Sequence, residues 1–266
     1  MINLIKSDLY KLKKTKSIKV LFIIMWIAAI AVTVVSNLLA KGTIGPEVSG
    51  PMSGLSDVMT VAIVGPFLAA IYLCGDFDNK TINDAISSCG VGRGYVIVSK
   101  AIVYYLLVML MLIPYMVVTL IAFSTGAEFA EPFAASVFLS ILGNQSELEL
   151  TSLVFGKMFL IMLVMIIAYA SQMTVCVFLS FLFRKSSIVI FVGFGLILVL
   201  QIFGTLGIKY NSVERFLSFT PFSIGNSFLT MDVGTNVILK GIGISLLFCV
   251  WILSMTNGVF RKSEVK

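Results

Sequence analysis

Between Lys19 and Lys41 the chain carries no charged residue. The same holds between Asp57 and Asp76, Lys100 and Glu128, Lys157 and Arg184, Lys185 and Lys209, and Lys240 and Arg261. These six uncharged intervals constrain the fold more than any motif does. Inside a bilayer every backbone amide and carbonyl must find its partner within the protein, which leaves helices and closed barrels. Barrel strands alternate apolar and polar residues, and these runs do not. An apolar run of about 20 residues is what a helix needs to cross about 30 Å of hydrocarbon. The chain therefore reads as an all-α polytopic membrane protein. Its six predicted spans are Ile18–Leu39, Val58–Leu73, Ala101–Phe123, Met158–Phe183, Ile188–Leu206 and Val237–Val259. With 59% hydrophobic and 12% charged residues, the links leave no room for a soluble domain. Residues 1–266 are read as one membrane domain. The second span is the shortest and holds Gly65-Pro66, where a proline removes a helix hydrogen bond and favours a kink.

The basic residues sort to one side. Lys6, Lys11, Lys13, Lys14, Lys16 and Lys19 precede the first span. Lys80, Arg93 and Lys100, then Arg184 and Lys185, then Arg261, Lys262 and Lys266 return to the same side. The opposite side holds only Lys41, Lys157, Lys209, Arg215 and Lys240, against eight of the thirteen acidic residues. Excess Lys and Arg mark the cytoplasmic side, so the expected location is the cell membrane with both termini cytoplasmic. The net charge of +6 then needs no nucleic acid, and the lysines suit contact with membrane lipids. The first apolar run is too long, and follows too long a polar lead, for a cleaved signal peptide. Residues 1–17 place Ile2, Ile5, Leu9 and Leu12 at helical spacing, with Lys6, Lys13 and Lys14 elsewhere. That pattern predicts a basic amphipathic helix lying in the interface.

Absent residue types narrow the chemistry. The chain has no histidine and no GxxxxGK[ST] loop. Cys74, Cys89, Cys176 and Cys249 make no CxxC pair, and no metal or cofactor is expected. The chain is not expected to be an enzyme. No Asp, Glu, Lys or Arg falls in the middle of a span, where ion-coupled carriers commonly keep one. The few polar residues there are chiefly Ser171, Gln172, Thr174 and Gln201, which either line a substrate path or hydrogen-bond across helices. On the outer side a helix is expected from Pro132, with Phe133, Val137, Phe138, Ile141 and Leu142 as its stripe and a stop at Gly143-Asn144. The aromatic segment Phe216–Phe228, broken by Pro221 and Gly225, is expected to lie at the outer interface or dip back toward the bundle.

One polar island, Cys74–Lys100, separates the second and third spans. Thr81 and Asp84 approximate a capping box. Ile82, Ala85, Ile86 and Cys89 then fall at i, i+3, i+4 and i+7, one apolar face of a short helix. Gly90–Gly94, with Arg93 inside it, reads as a flexible turn. The apolar face is suited either to resting on the membrane or to entering a groove on a cytoplasmic protein.

The island resembles the loop between the second and third spans in permeases of ABC-2-type exporters. Asp76-Phe77 match the family's acidic-aromatic pair, followed by Thr81, the small helix Ile82–Cys89, Arg93 and Lys100. Asp76 stands where Glu is common, and Lys80 where Gly often precedes the Thr. The resemblance extends to the plan of an interfacial first helix, six spans and an aromatic outer segment before the last span. It implies a permease subunit whose short cytoplasmic helix couples to a separate ATP-binding cassette ATPase. Asp76, Phe77, Thr81, Ile82, Asp84, Ala85, Ile86, Cys89 and Arg93 would form that contact within a coupling loop over 76–95. Arg184 and Lys185 would add a second contact. It also implies pairing with a second copy or a related permease, and export of, or immunity to, hydrophobic or antimicrobial peptides. A non-transporting scaffold or sensor that anchors a cytoplasmic partner is the alternative.

Overall fold

A computed structural model describes residues 2–45, 47, 54–87, 90–127, 136, 138, 139, 141, 151–206, 210–227, 229–231 and 233–262. Six of its helices are long and apolar enough to cross a membrane, and the protein is an all-α, multi-pass membrane protein. In chain order these are α2 (Lys16–Ala40), α3 (Asp57–Asp78), α5 (Arg93–Ser124), α6 (Ser152–Phe183), α7 (Ser186–Leu206) and α10 (Thr235–Lys262). Shorter helices flank them: α1 (Ile2–Lys14), α4 (Thr81–Ser87), α8 (Asn211–Leu217) and α9 (Ile224–Ser227). Large apolar side chains such as Ile27, Phe191 and Leu247 face outward. A bilayer accepts that surface and water does not.

The helices outrun their expected bounds at the polar ends. The second span is not short: α3 holds 22 residues, from Asp57 to Asp78. Pro66 cannot donate a backbone hydrogen bond, yet the helix continues through it and widens into a π turn over Ala70–Cys74. Neighbours supply contacts where the proline disturbs the ladder. Tyr104 of α5 donates its hydroxyl to the Gly65 carbonyl at 2.9 Å, and α7 brings Gly193 against the Pro66 ring. Helix α3 is the most enclosed of the six spans and packs on α2, α5, α6 and α7. Helix α5 begins at Arg93, eight residues before its predicted start, so it takes in the last three residues of the expected coupling loop. At about 1.5 Å per residue α5 is about 48 Å long, more than the hydrocarbon thickness.

On the far side of the bundle from Lys100, part of the aromatic segment dips back toward the bundle. Phe216 and Phe219 point outward, whereas Pro221, Phe222 and Ser223 are buried. Asn226 holds the turn by donating to the carbonyls of Ser218 (3.0 Å) and Thr220 (2.9 Å). Of the helix expected from Pro132, Phe138 and Ile141 are buried in the core. Phe133, Val137, Leu142 and the stop at Gly143-Asn144 lie outside the described residues.

Candidate functional site

The island gathers five helices at the basic end of the bundle, and two adjacent residues of α3 do most of the gathering. Asp76 turns toward α1 and α5. Its carboxylate takes Lys100 Nζ at 2.5 Å and also accepts from Lys11. Lys100 in turn donates to both oxygens of Asp8, at 2.7 and 2.9 Å. Tyr72 donates its hydroxyl to Asp8 Oδ2 at 2.9 Å, and its ring lies 5.0 Å below the Lys100 ammonium. Asp8, Asp76 and Lys100 are buried. Two carboxylates and two ammoniums make the cluster neutral. Balance of this kind is the condition for keeping charges out of water.

This cluster changes the reading of α1. The side of α1 against the bundle carries Ile5, Asp8 and Leu12, while Ile2 and Leu9 are exposed. The expected stripe of Ile2, Ile5, Leu9 and Leu12 is therefore rotated, so that a carboxylate sits in the inner face. Sequence reasoning left Asp8, Lys11 and Tyr72 out of the site. The available signal was that Asp8 shares a helical stripe with Ile5 and Leu12.

Phe77 turns the other way. Its ring meets Phe181 of α6 at 5.3 Å and Phe260 of α10 at 6.3 Å, and those two lie 5.1 Å apart, all edge to face. Such pairs add about 0.5–1.5 kcal/mol each beyond burial. Arg184 leaves α6 in a left-handed conformation, φ 56°. Its guanidinium covers Phe77 (5.4 Å) and Phe260 (5.8 Å). Arg93, at the start of α5, donates to the carbonyls of Phe260 (3.2 Å) and Arg261 (2.9 Å). A cation at the carboxyl end of α10 also suits the helix dipole.

Helix α4 hangs from this clasp. The capping box is not formed: Thr81 is the first helical residue, and its hydroxyl donates back to the Asp76 carbonyl at 3.0 Å. Asn79 donates to the Gly75 carbonyl at 2.7 Å, so these side chains close α3 rather than open α4. Lys80 joins the two helices at φ 57°, a conformation that suits glycine. Ile82 is only 1% exposed and Ile86 packs on the same core. The described part of the apolar face of α4, Ile82 and Ile86, thus packs on the protein's own bundle, and Ile82 completes the core beneath the helix. Asp76, Phe77 and Ile82 are internal ties, not open contacts. What α4 and its approach leave exposed is polar: Asp78, Asn79, Lys80, Thr81 and Asp84, with Lys185 exposed nearby in sequence to Arg184. The side chain of Ala85 and the whole of Cys89 lie outside the described residues.

The four polar residues within the spans are buried or half-buried. Thr174 joins Tyr105 of α5 (3.0 Å) and Cys249 of α10 (3.3 Å). Gln172 donates to the Pro221 carbonyl at 2.8 Å, tying α6 to the aromatic segment, and Ser171 bonds back to Ala168. These three knit helices together or satisfy their own helix. The amide nitrogen of Gln201 and the amide oxygen of Gln172 are buried without a partner among the described residues. Among the described residues no group of three or more Cys, Asp or Glu gathers as a metal site. Compared with known proteins, the chain matches no family model, no curated sequence and no solved structure.

Proposed function

We propose that this protein is the membrane-spanning permease subunit of an ABC exporter, driven by ATPase subunits encoded separately. The observation that carries the reading is the bracing of α4. Through Asp76 and Phe77 its base is tied to α1, α5, α6 and α10. A push on α4 is therefore delivered to five helices at once. A helix that merely rested on the membrane would need no such clasp.

In this reading the basic end is cytoplasmic, with both termini on that side of the cell membrane. The ATPase docks on the polar edge, Asp78–Thr81 and Asp84, with Lys185 beside it, and not on the apolar face of Ile82, Ala85 and Ile86. Closure of the ATPases on ATP tilts the clasped helix ends, and the path opens between this chain and a second permease copy or a related one. Ser171 and Thr174 then serve as ties within each subunit, and Gln201, with the amide oxygen of Gln172, is left for the path. Hydrophobic or antimicrobial peptides are the proposed cargo, on the strength of the resemblance.

The test is co-purification with the candidate ATPase, comparing wild type with Lys80→Glu/Lys185→Glu. Loss of the complex and of ATPase stimulation is expected, with melting temperature unchanged. An intact complex with unchanged stimulation refutes the docking edge. A stable complex in which the chain never alters ATP turnover makes it a scaffold instead.

A further inference from the structure

A groove of about 690 Å³ runs along the outside of the bundle between α1, α2 and α5. It opens sideways and is lined almost wholly by apolar side chains, Phe22 and Leu106 among them, with Lys13 and Lys19 at its mouth. Its α5 wall reaches from Val103 to Ile113, about 15 Å of helix. That is the depth of one leaflet's hydrocarbon, half of about 30 Å. The lysines stand at the basic end, level with the headgroups, and the apolar floor extends from there toward the bilayer centre. In volume the groove falls within the usual range for a small-molecule site.

Charge decides the occupant. Of the other basic side chains on α1, Lys11 is engaged on Asp76 and Lys14 over the Tyr10 ring at 4.5 Å, and Lys6 does not line the groove. Asp8, the acid of α1, is buried under Lys100. Among the described residues no carboxylate is paired with Lys13 or Lys19. The amino end of α2 opens beside them, with no side chain capping its first amides, since the Thr15 hydroxyl donates to the Lys11 carbonyl at 3.0 Å. A mouth with two uncompensated ammoniums above an apolar channel one leaflet deep fits a molecule with an anionic head and an acyl tail.

We propose that this groove binds one anionic phospholipid, its phosphate held by Lys13 and Lys19 and one acyl chain laid along α5 from Val103 to Ile113. Bound there, the lipid fills the wedge between α1 and the α2–α5 pair and holds α1 against the bundle. The inference stands apart from the permease reading.

The experiment is native mass spectrometry of the full chain in mild detergent, titrated separately with phosphatidylglycerol and phosphatidylcholine. One phosphatidylglycerol per chain is expected, preferred about thirty-fold, since each lysine near a phosphate is worth about a five-fold change. The preference should vanish in Lys13→Gln/Lys19→Gln and persist in Lys262→Gln, which removes a charge from the same end away from the groove. Leu106→Trp, which fills the groove, should lose both lipids. Phosphatidylglycerol should raise the melting temperature of wild type and Lys262→Gln but not of the other two, which also reports that each variant is folded. Equal retention of the two lipids overturns the proposal. So does a preference that survives in Lys13→Gln/Lys19→Gln, or a Leu106→Trp chain that still binds. A groove occupied by a second copy, revealed by a dimer that Leu106→Trp splits, also overturns it.

Discussion

Replacing Lys100 by Met tests whether the buried cluster holds α1. With an effective dielectric of about 20, an N–O separation of 2.7 Å corresponds to about 6 kcal/mol of gross attraction for each carboxylate. Desolvation of the three buried charged groups offsets most of it, so the wild-type cluster is close to break-even. The single variant is different. Asp76 keeps Lys11 and Asp8 keeps only the Tyr72 hydroxyl, which leaves one net negative charge buried. Breaking such a pair on one side costs about 3–5 kcal/mol. Asp8→Leu should cost about as much, by leaving the ammoniums in excess. The double variant Asp8→Leu/Lys100→Met restores neutrality with apolar groups of similar size and should recover most of the loss. The expected coupling between the two sites therefore exceeds about 4 kcal/mol. Unfolding in mixed micelles measures the energies, and amide exchange over Ile2–Lys14 shows whether α1 comes loose first. Simple additivity of the two single costs, or a cost below about 1 kcal/mol for Lys100→Met, would falsify the account.

Two further outcomes follow from backbone geometry. Lys80 and Arg184 both hold left-handed φ, which costs a side-chain-bearing residue about 1–2 kcal/mol. Lys80→Gly should therefore raise stability by up to about 1 kcal/mol, whereas Arg184→Gly should lower it because the guanidinium covers two phenyl rings; opposite shifts in the same melt check this. A Cβ on Gly204 would lie 2.4 Å from the Phe222 carbonyl oxygen, while Gly195 has open space. Gly204→Ala should cost about 1–3 kcal/mol and Gly195→Ala should be neutral or stabilising by up to about 1 kcal/mol, read by the same unfolding assay.

The spans were legible because charge is expensive in hydrocarbon, so the uncharged intervals mark them directly. Their ends were less so. Residues such as Arg93 and Asp78 look like loop when only hydropathy is read, yet they continue α5 and α3 into the headgroup region. At the island, periodicity revealed that α4 has an apolar face but not what covers it, since the same spacing serves a docking surface and a core. Asp76 and Lys100 were picked out as residues, and their meaning was not. Asp76 meets partners 24 and 65 positions away, and Lys100 meets Asp8 92 positions away. No local pattern encodes pairings that depend on how three helices pack. Asp8 in particular reads as a solvated carboxylate until Lys100 is beside it.

The distance along the chain between Asp8 and Lys100 has a consequence for biogenesis. At about 5–20 residues per second of synthesis, the carboxylate of α1 waits roughly 5–20 s for its ammonium to be made. Until then Asp8 has no counter-charge to draw it inward, and the one ion pair open to α1 is that of Lys11 with Asp76, which becomes available once α3 is made. The third span thus seats the first helix, and the bundle closes backward against the order in which it was translated.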